Sequence, residues 1–172
     1  MEFKMMKTIF TIGAFILIGV ALFGFQKINA KQEEKSSQMK TDAKDFKTAT
    51  FAGGCFWCME EAFEAVEGVV EAVSGYAGGD TVNPTYTEVS SGRTGHTEVI
   101  QVTYDPRVVT YEDLLYVFWR NVDPLDGGGQ FCDRGSQYRT GVFYHDHEQK
   151  RLAEKSLQAL VTSGRFDKAI TT

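Results

Sequence analysis

The sequence predicts an α+β fold, a ferredoxin-like αβ sandwich with long ordered loops. Three observations carry this. Strand-type and helix-type stretches succeed one another as β-α-β, β-α-β and a final α; the run HTEVIQVTYDP alternates and is closed by Asp105-Pro106; and YEDLLYVFWRNVD sets Tyr111, Leu114, Leu115 and Phe118 at helical spacing. This order suits a sandwich rather than a doubly wound sheet. The 172 residues suffice for one ordinary domain with an appendage.

The appendage comes first. Lys4 and Lys7 precede an unbroken apolar run from Ile9 to Phe25, then a polar segment and Ile28-Asn29-Ala30. Residues 1–30 are therefore expected to be a signal peptide cleaved after Ala30 or an N-terminal membrane anchor, and either places the remainder outside the cytoplasm, periplasmic or tethered to the outer face of the membrane. Residues 31–47, KQEEKSSQMKTDAKDFK, are polar and charge-mixed, as in a solvated linker. The folded domain is expected over 48–172.

Within it, TATFAGG has strand character and leads into Cys55, after which CMEEAFEAVEG is helix-like, with Gly68 as a stop. VVEAVSGYAGG follows as a second strand ending in a glycine turn. Residues 80–95, DTVNPTYTEVSSGRTG, have the composition of a long ordered loop, and such loops commonly carry function. After the alternating strand and the Tyr111–Phe118 helix, a second Gly-rich loop, PLDGGGQFCDRGSQ, precedes the strand YRTGVFY. Asp146 with Gln149 then opens a last helix, whose Leu152, Ala153, Leu157, Leu160 and Val161 form its apolar stripe.

Composition narrows the function. With 42% hydrophobic and 24% charged residues the chain is a folded protein. Setting aside Lys4, Lys7, Lys27 and Glu2 leaves 15 basic and 22 acidic side chains, a formal −7 that makes nucleic acid a poor partner. The triplet Gly127-Gly128-Gly129 lacks the Lys-Ser or Lys-Thr of a phosphate loop, so no nucleotide site is expected. Three cysteines in a disulfide-permissive compartment leave at least one thiol over, which hints at redox work.

The chemistry centres on GGCFWCMEEAF. A cysteine at the first turn of a helix meets unpaired backbone N–H groups and the positive end of the helix dipole, which favour thiolate, so Cys55 is the better nucleophile. Cys58 lies three residues on, within reach of a disulfide if the first turn is slightly strained. Zinc would need a second pair of ligands, and Cys132 stands alone while His145 and His147 flank a helix start, so no metal is expected. Cys132 itself is either a loop cysteine or a further redox thiol. Phe56 and Trp57 would build an aromatic wall beside the sulfur, which suits a small apolar group held against it more than a docked protein disulfide, although a thioredoxin-like thiol–disulfide oxidoreductase remains the alternative. Alternation puts Glu98 on the face of Ile100, Val102 and Tyr104, where a carboxyl resists ionisation and can donate a proton near neutrality. Tyr86 and Tyr138 are available phenolic donors.

Taken together, GGCFWCMEEAF, GYAGG, NPTYTEVSSGRTGHTEVIQVTYDP, LLYVFW and QFCDRGSQYRTGVFY resemble the peptide methionine sulfoxide reductase A family, from about Phe46 to Thr171. The resemblance implies reduction of the S epimer of methionine sulfoxide, free or in proteins, by a protein without metal, flavin or other cofactor. By the same resemblance Cys55 is the nucleophile, Phe56 and Trp57 form the substrate-methyl pocket with Asp133 shaping it, and Glu98, Tyr86 and Tyr138 hold the sulfoxide oxygen. Cys58 matches the subgroup whose recycling thiol lies inside GCFWC, and Cys132 is a second resolving candidate. A thioredoxin-like dithiol is the implied reductant, extracytoplasmic proteins the implied repair targets and a monomer the expected state. The chain ends at SGRFDKAITT, where the family continues with a segment rich in Tyr, His and Gln, so the domain is expected to be short at its C-terminus.

Overall fold

The computed structural model describes residues 45–172, so the leader and most of the linker lie outside the described residues. Four strands form the main sheet: β1 (Lys47–Gly53), β2 (Val69–Ala77), β3 (Thr97–Tyr104) and β6 (Thr140–Phe143), in the order β2-β3-β1-β6 with every neighbouring pair antiparallel. Helix α1 (Phe56–Glu64) connects β1 to β2, and α3 (Tyr111–Asn121) lies on the path from β3 to β6. Each connection joins two parallel strands that have an antiparallel strand between them. These two interlocked split β-α-β units are the ferredoxin-like arrangement that the element order predicts.

The core lies between one face of the sheet and the helices. Ala49 and Phe51 of β1, Ala72 of β2 and Ile100, Val102 and Tyr104 of β3 meet Met59 and Phe63 of α1 and Tyr111, Leu114, Leu115 and Phe118 of α3. Phe51 is the hub, with ring centroids 4.9 Å from Phe63, 5.4 Å from Phe118 and 6.1 Å from Tyr111. A phenylalanine fully withdrawn from water contributes about 1.5–3 kcal/mol, so this cluster anchors α1 and α3 to the central strand. Helix α3 starts at a reciprocal cap: the Asp113 N–H donates to Thr110 Oγ1 at 3.2 Å and the Thr110 N–H to Asp113 Oδ2 at 3.0 Å.

Three expectations need correction. The loop 80–95 contains a short helix, α2 (Tyr86–Ser90), begun by a capping box in which the Thr85 hydroxyl accepts from the Glu88 N–H while the Glu88 carboxylate accepts from the Thr85 N–H. The Gly-rich loop contains a two-residue-per-strand hairpin, β4 (Gly129–Gln130) with β5 (Asp133–Arg134). Helix α4 (His147–Thr162) buries less than its pattern suggests. Leu152 reaches the core, Ala153, Leu157 and Leu160 are half-buried and Val161 is exposed, because α4 lies at the outside of the layer. Asp146 caps it by accepting from the Gln149 N–H at 2.7 Å. The Gln149 side chain does not return the bond but accepts from the His145 N–H at 2.9 Å and donates to the Thr48 carbonyl at 2.7 Å, stapling the helix start to β1. Among the described residues no helix is long and apolar enough to cross a membrane.

Candidate active site

The central strand β1 runs out through Gly53 and Gly54 into Cys55, the N-cap of α1. Gly54 has φ +89°, and a Cβ there would stand 2.6 Å from Gln130 Cβ, so only glycine lets the chain turn from strand to helix against this neighbour. Gln130 is fully buried. Its side chain accepts from the Asp123 N–H at 2.7 Å and donates to the carbonyls of Asp123 and Gly129 at 3.0 and 2.7 Å, so a satisfied amide backs the turn that presents Cys55. No side chain caps α1 and its first turn carries no acid. The orphan amides of that turn are therefore open to other acceptors.

One acceptor is Glu98. It is 2% exposed, on the inner face of β3 with Ile100, Val102 and Tyr104, and its Oε2 accepts from the Phe56 N–H at 3.0 Å. Burial pushes its carboxyl above the ordinary glutamate range, the Phe56 N–H opposes this, and the Asp133 carboxylate adds to the rise. The carboxyl thus keeps its proton to higher pH than an exposed glutamate, next to the residue that follows Cys55.

Aromatic rings surround this pair. Phe56 is 5% exposed, its ring centroid 5.1 Å from Trp57, 5.7 Å from Tyr76 and 6.3 Å from Tyr86, and Trp57 stacks on Tyr86 at 5.7 Å and 25°. The two residues of the expected wall therefore differ: Phe56 is an inner ring and Trp57, 60% exposed, is the lip. Tyr76 is a site neighbour that the sequence reasoning did not single out. Tyr76 pairs with Glu98 across β2 and β3 and so shares its face, a register set by strand pairing rather than by any local pattern.

Tyr86 is the first residue of α2. Tyr138 is not at the start of a strand as the sequence suggested but closes a 3-10 turn, Ser136–Tyr138, because the Tyr138 N–H bonds back to the Gly135 carbonyl before β6 begins at Thr140. Its phenol is pushed up by burial and then by the charges of Glu98, Tyr86, Asp133 and Cys55, which places it within electrostatic reach of all four. Asp133, half-buried on β5, bears on Glu98, Tyr138 and Cys58 alike.

The three thiols are free. Cys58 is exposed, and its pKa is raised first by a hydrogen bond with Cys55 and next by burial, with the charges of Cys55, Asp133 and Glu61 adding to it. Cys132 is exposed beside Phe131 at the tip of the β4–β5 hairpin. Among the described residues no three His, Cys, Asp or Glu side chains converge to hold a metal ion.

The family model for peptide methionine sulfoxide reductase matches residues 47–172. The peptide methionine sulfoxide reductase MsrA of Listeria monocytogenes serotype 4a is 60% identical over 124 residues, 72% of this chain and 70% of that protein. The MsrA/MsrB protein of Vibrio cholerae serotype O1 is 47% identical over 169 residues, 97% of this chain and 44% of its own. The solved methionine sulfoxide reductase A of Corynebacterium diphtheriae superposes with a TM-score of 0.62 at 34% identity, covering 73% of this chain and 64% of that one.

Proposed function

The chain belongs to the peptide methionine sulfoxide reductase family, and on that premise we propose that it reduces the S epimer of methionine sulfoxide, free or in proteins, with Cys55 as nucleophile. The observation that carries the reading is the union of Cys55 at an uncapped helix N-terminus with the buried carboxyl of Glu98, one backbone N–H away.

A sulfoxide sulfur is a poor electrophile until its oxygen is hydrogen-bonded or protonated. Glu98 supplies the proton, and the phenols of Tyr86 and Tyr138 bind the oxygen while the Cys55 sulfur attacks. The substrate methyl rests against Phe56 and Trp57, with Asp133 shaping the same pocket. Methionine departs and the oxygen remains on Cys55 as a sulfenic acid. The Cys58 thiol displaces that oxygen as water and forms the disulfide, so two thiol hydrogens and one sulfoxide give one disulfide, one thioether and one water. Cys132 is a second resolving candidate. An external thioredoxin-like dithiol returns both sulfurs to thiols. The leader-like residues 1–30 support work outside the cytoplasm on proteins oxidised there.

The purified full-length chain with excess dithiol should convert the S sulfoxide and leave the R sulfoxide untouched. Equal turnover of both epimers, or of neither, overturns the reading. Cell fractionation with protease protection checks the location, and a protein found only inside the cytoplasm removes that part alone.

A further inference from the structure

We propose that Gln137 is a positioning residue that sets the phenol of Tyr138 against that of Tyr86, an inference that rests on the reductase reading above. Gln137 is a polar residue only 5% exposed, and it precedes Tyr138 directly. Its Nε2 donates to the Ser90 carbonyl, the last residue of α2, at 3.0 Å. Its own carbonyl accepts from Thr97 Oγ1 at 3.0 Å, and Thr97 is fully buried next to Glu98. One residue therefore joins the three separate elements that carry Tyr86, Glu98 and Tyr138.

The tie to α2 has a short lever. Ser90 and Tyr86 are separated by about 6 Å of helix axis, so a shift at one end of α2 is felt at the other. Buried Val89 fixes the depth of α2, but apolar contact has no direction. The Gln137 amide supplies the direction. Its seat is made by Gly135, at φ +127°, where any side chain would overlap the Gln137 amide oxygen. The residue before Tyr138 is thus hydrogen-bonded to the last residue of the helix that Tyr86 begins, which ties the backbones carrying the two phenols to each other. A buried glutamine that bonds a helix through its amide and a strand through its carbonyl, and touches no reacting group, is explained by alignment of the elements it connects.

The test is single-turnover reduction of methionine S-sulfoxide by the reduced full-length chain. Gln137→Met should lower the rate about tenfold and change KM by less than about twofold, as loss of transition-state alignment does. In a Tyr86→Phe/Tyr138→Phe background the same substitution should change the rate by less than about twofold, because the hydroxyls it aligns are gone. An equal loss in both backgrounds marks a general structural role and overturns the proposal. Should Gln137→Met fail to fold, Gln137→Glu decides. Its neutral carboxyl can still donate to the Ser90 carbonyl and its ionised form cannot, so the ratio of variant to wild-type rate should fall as pH rises; a flat ratio overturns the proposal. A wild-type chain without turnover removes the reductase reading itself, and this proposal with it, whereas an active wild type with no coupling removes only the role of Gln137.

Discussion

The amide N–H of Phe56 donates to the Glu98 carboxyl at 3.0 Å, tying the residue after the N-capping Cys55 to an acid on β3 that is 42 positions further along the chain. Two opposing influences meet in this contact. The N–H favours a charged acceptor, and burial disfavours the charge. Burial is the larger, so the acid stays protonated to higher pH than an exposed glutamate would.

Glu98→Gln preserves the shape and the acceptor but removes the transferable proton. Its single-turnover rate should fall by about 100-fold or more, with KM little changed. An unchanged rate would take the proton-donor role away from Glu98.

The same raised carboxyl makes a statement about stability. Between the unfolded glutamate value, about 4.3, and the higher folded value, the folded state binds more protons than the unfolded one, so this group lowers stability as pH rises through that window and adds no further change above it. Glu98→Gln removes the effect. The stability of the variant relative to wild type, read from urea midpoints across acid to neutral pH, should therefore climb with pH and then level. A difference that shrinks as pH rises contradicts the burial account.

Cys58→Ser should leave the first turnover intact and block the disulfide. Thiol labelling with mass mapping should then find oxygen retained on Cys55, or a Cys55–Cys132 bridge if the hairpin thiol takes over. Loss of the first turnover would mean that the roles of Cys55 and Cys58 are reversed.

Gly54→Ala forces a side chain into a left-handed backbone at φ +89° and against Gln130. The expected cost is about 1–3 kcal/mol, since strain and overpacking act together. Denaturant unfolding measures it, and an unshifted midpoint would refute the fit between Gly54 and Gln130.

What could be read in advance follows from how far each signal reaches. Alternation along β3 is local to the strand, so it oriented Glu98 inward, and the 3.6-residue spacing of Tyr111, Leu114, Leu115 and Phe118 gave the buried face of α3. Helix α2 has too few residues to show a periodicity, although Thr85 and Glu88 stand at capping-box spacing. The strand formers that follow Tyr138 suggest a strand there; the turn is fixed instead by the Gly135 N–H on the Gly128 carbonyl and by the bonds of Gln137 to α2 and β3. Gln130 and Gln137 are invisible for the same reason, since a glutamine is ordinarily exposed and only tertiary partners bury it. The apolar stripe of α4 is wider than its buried face, where Leu152 is the covered apolar residue.

The attacking sulfur and the groups that activate the oxygen are rooted in parts of the molecule with unequal resistance to opening. Cys55 leaves the sheet from β1, whose backbone is bonded on both sides, whereas Tyr86 and Tyr138 stand on a five-residue helix and a 3-10 turn at the periphery. Gentle heating should therefore yield a state that still alkylates at Cys55 yet has stopped turning over, and hydrogen exchange should find its amides released around residues 86–90 and 136–138 while those of residues 49–53 remain protected.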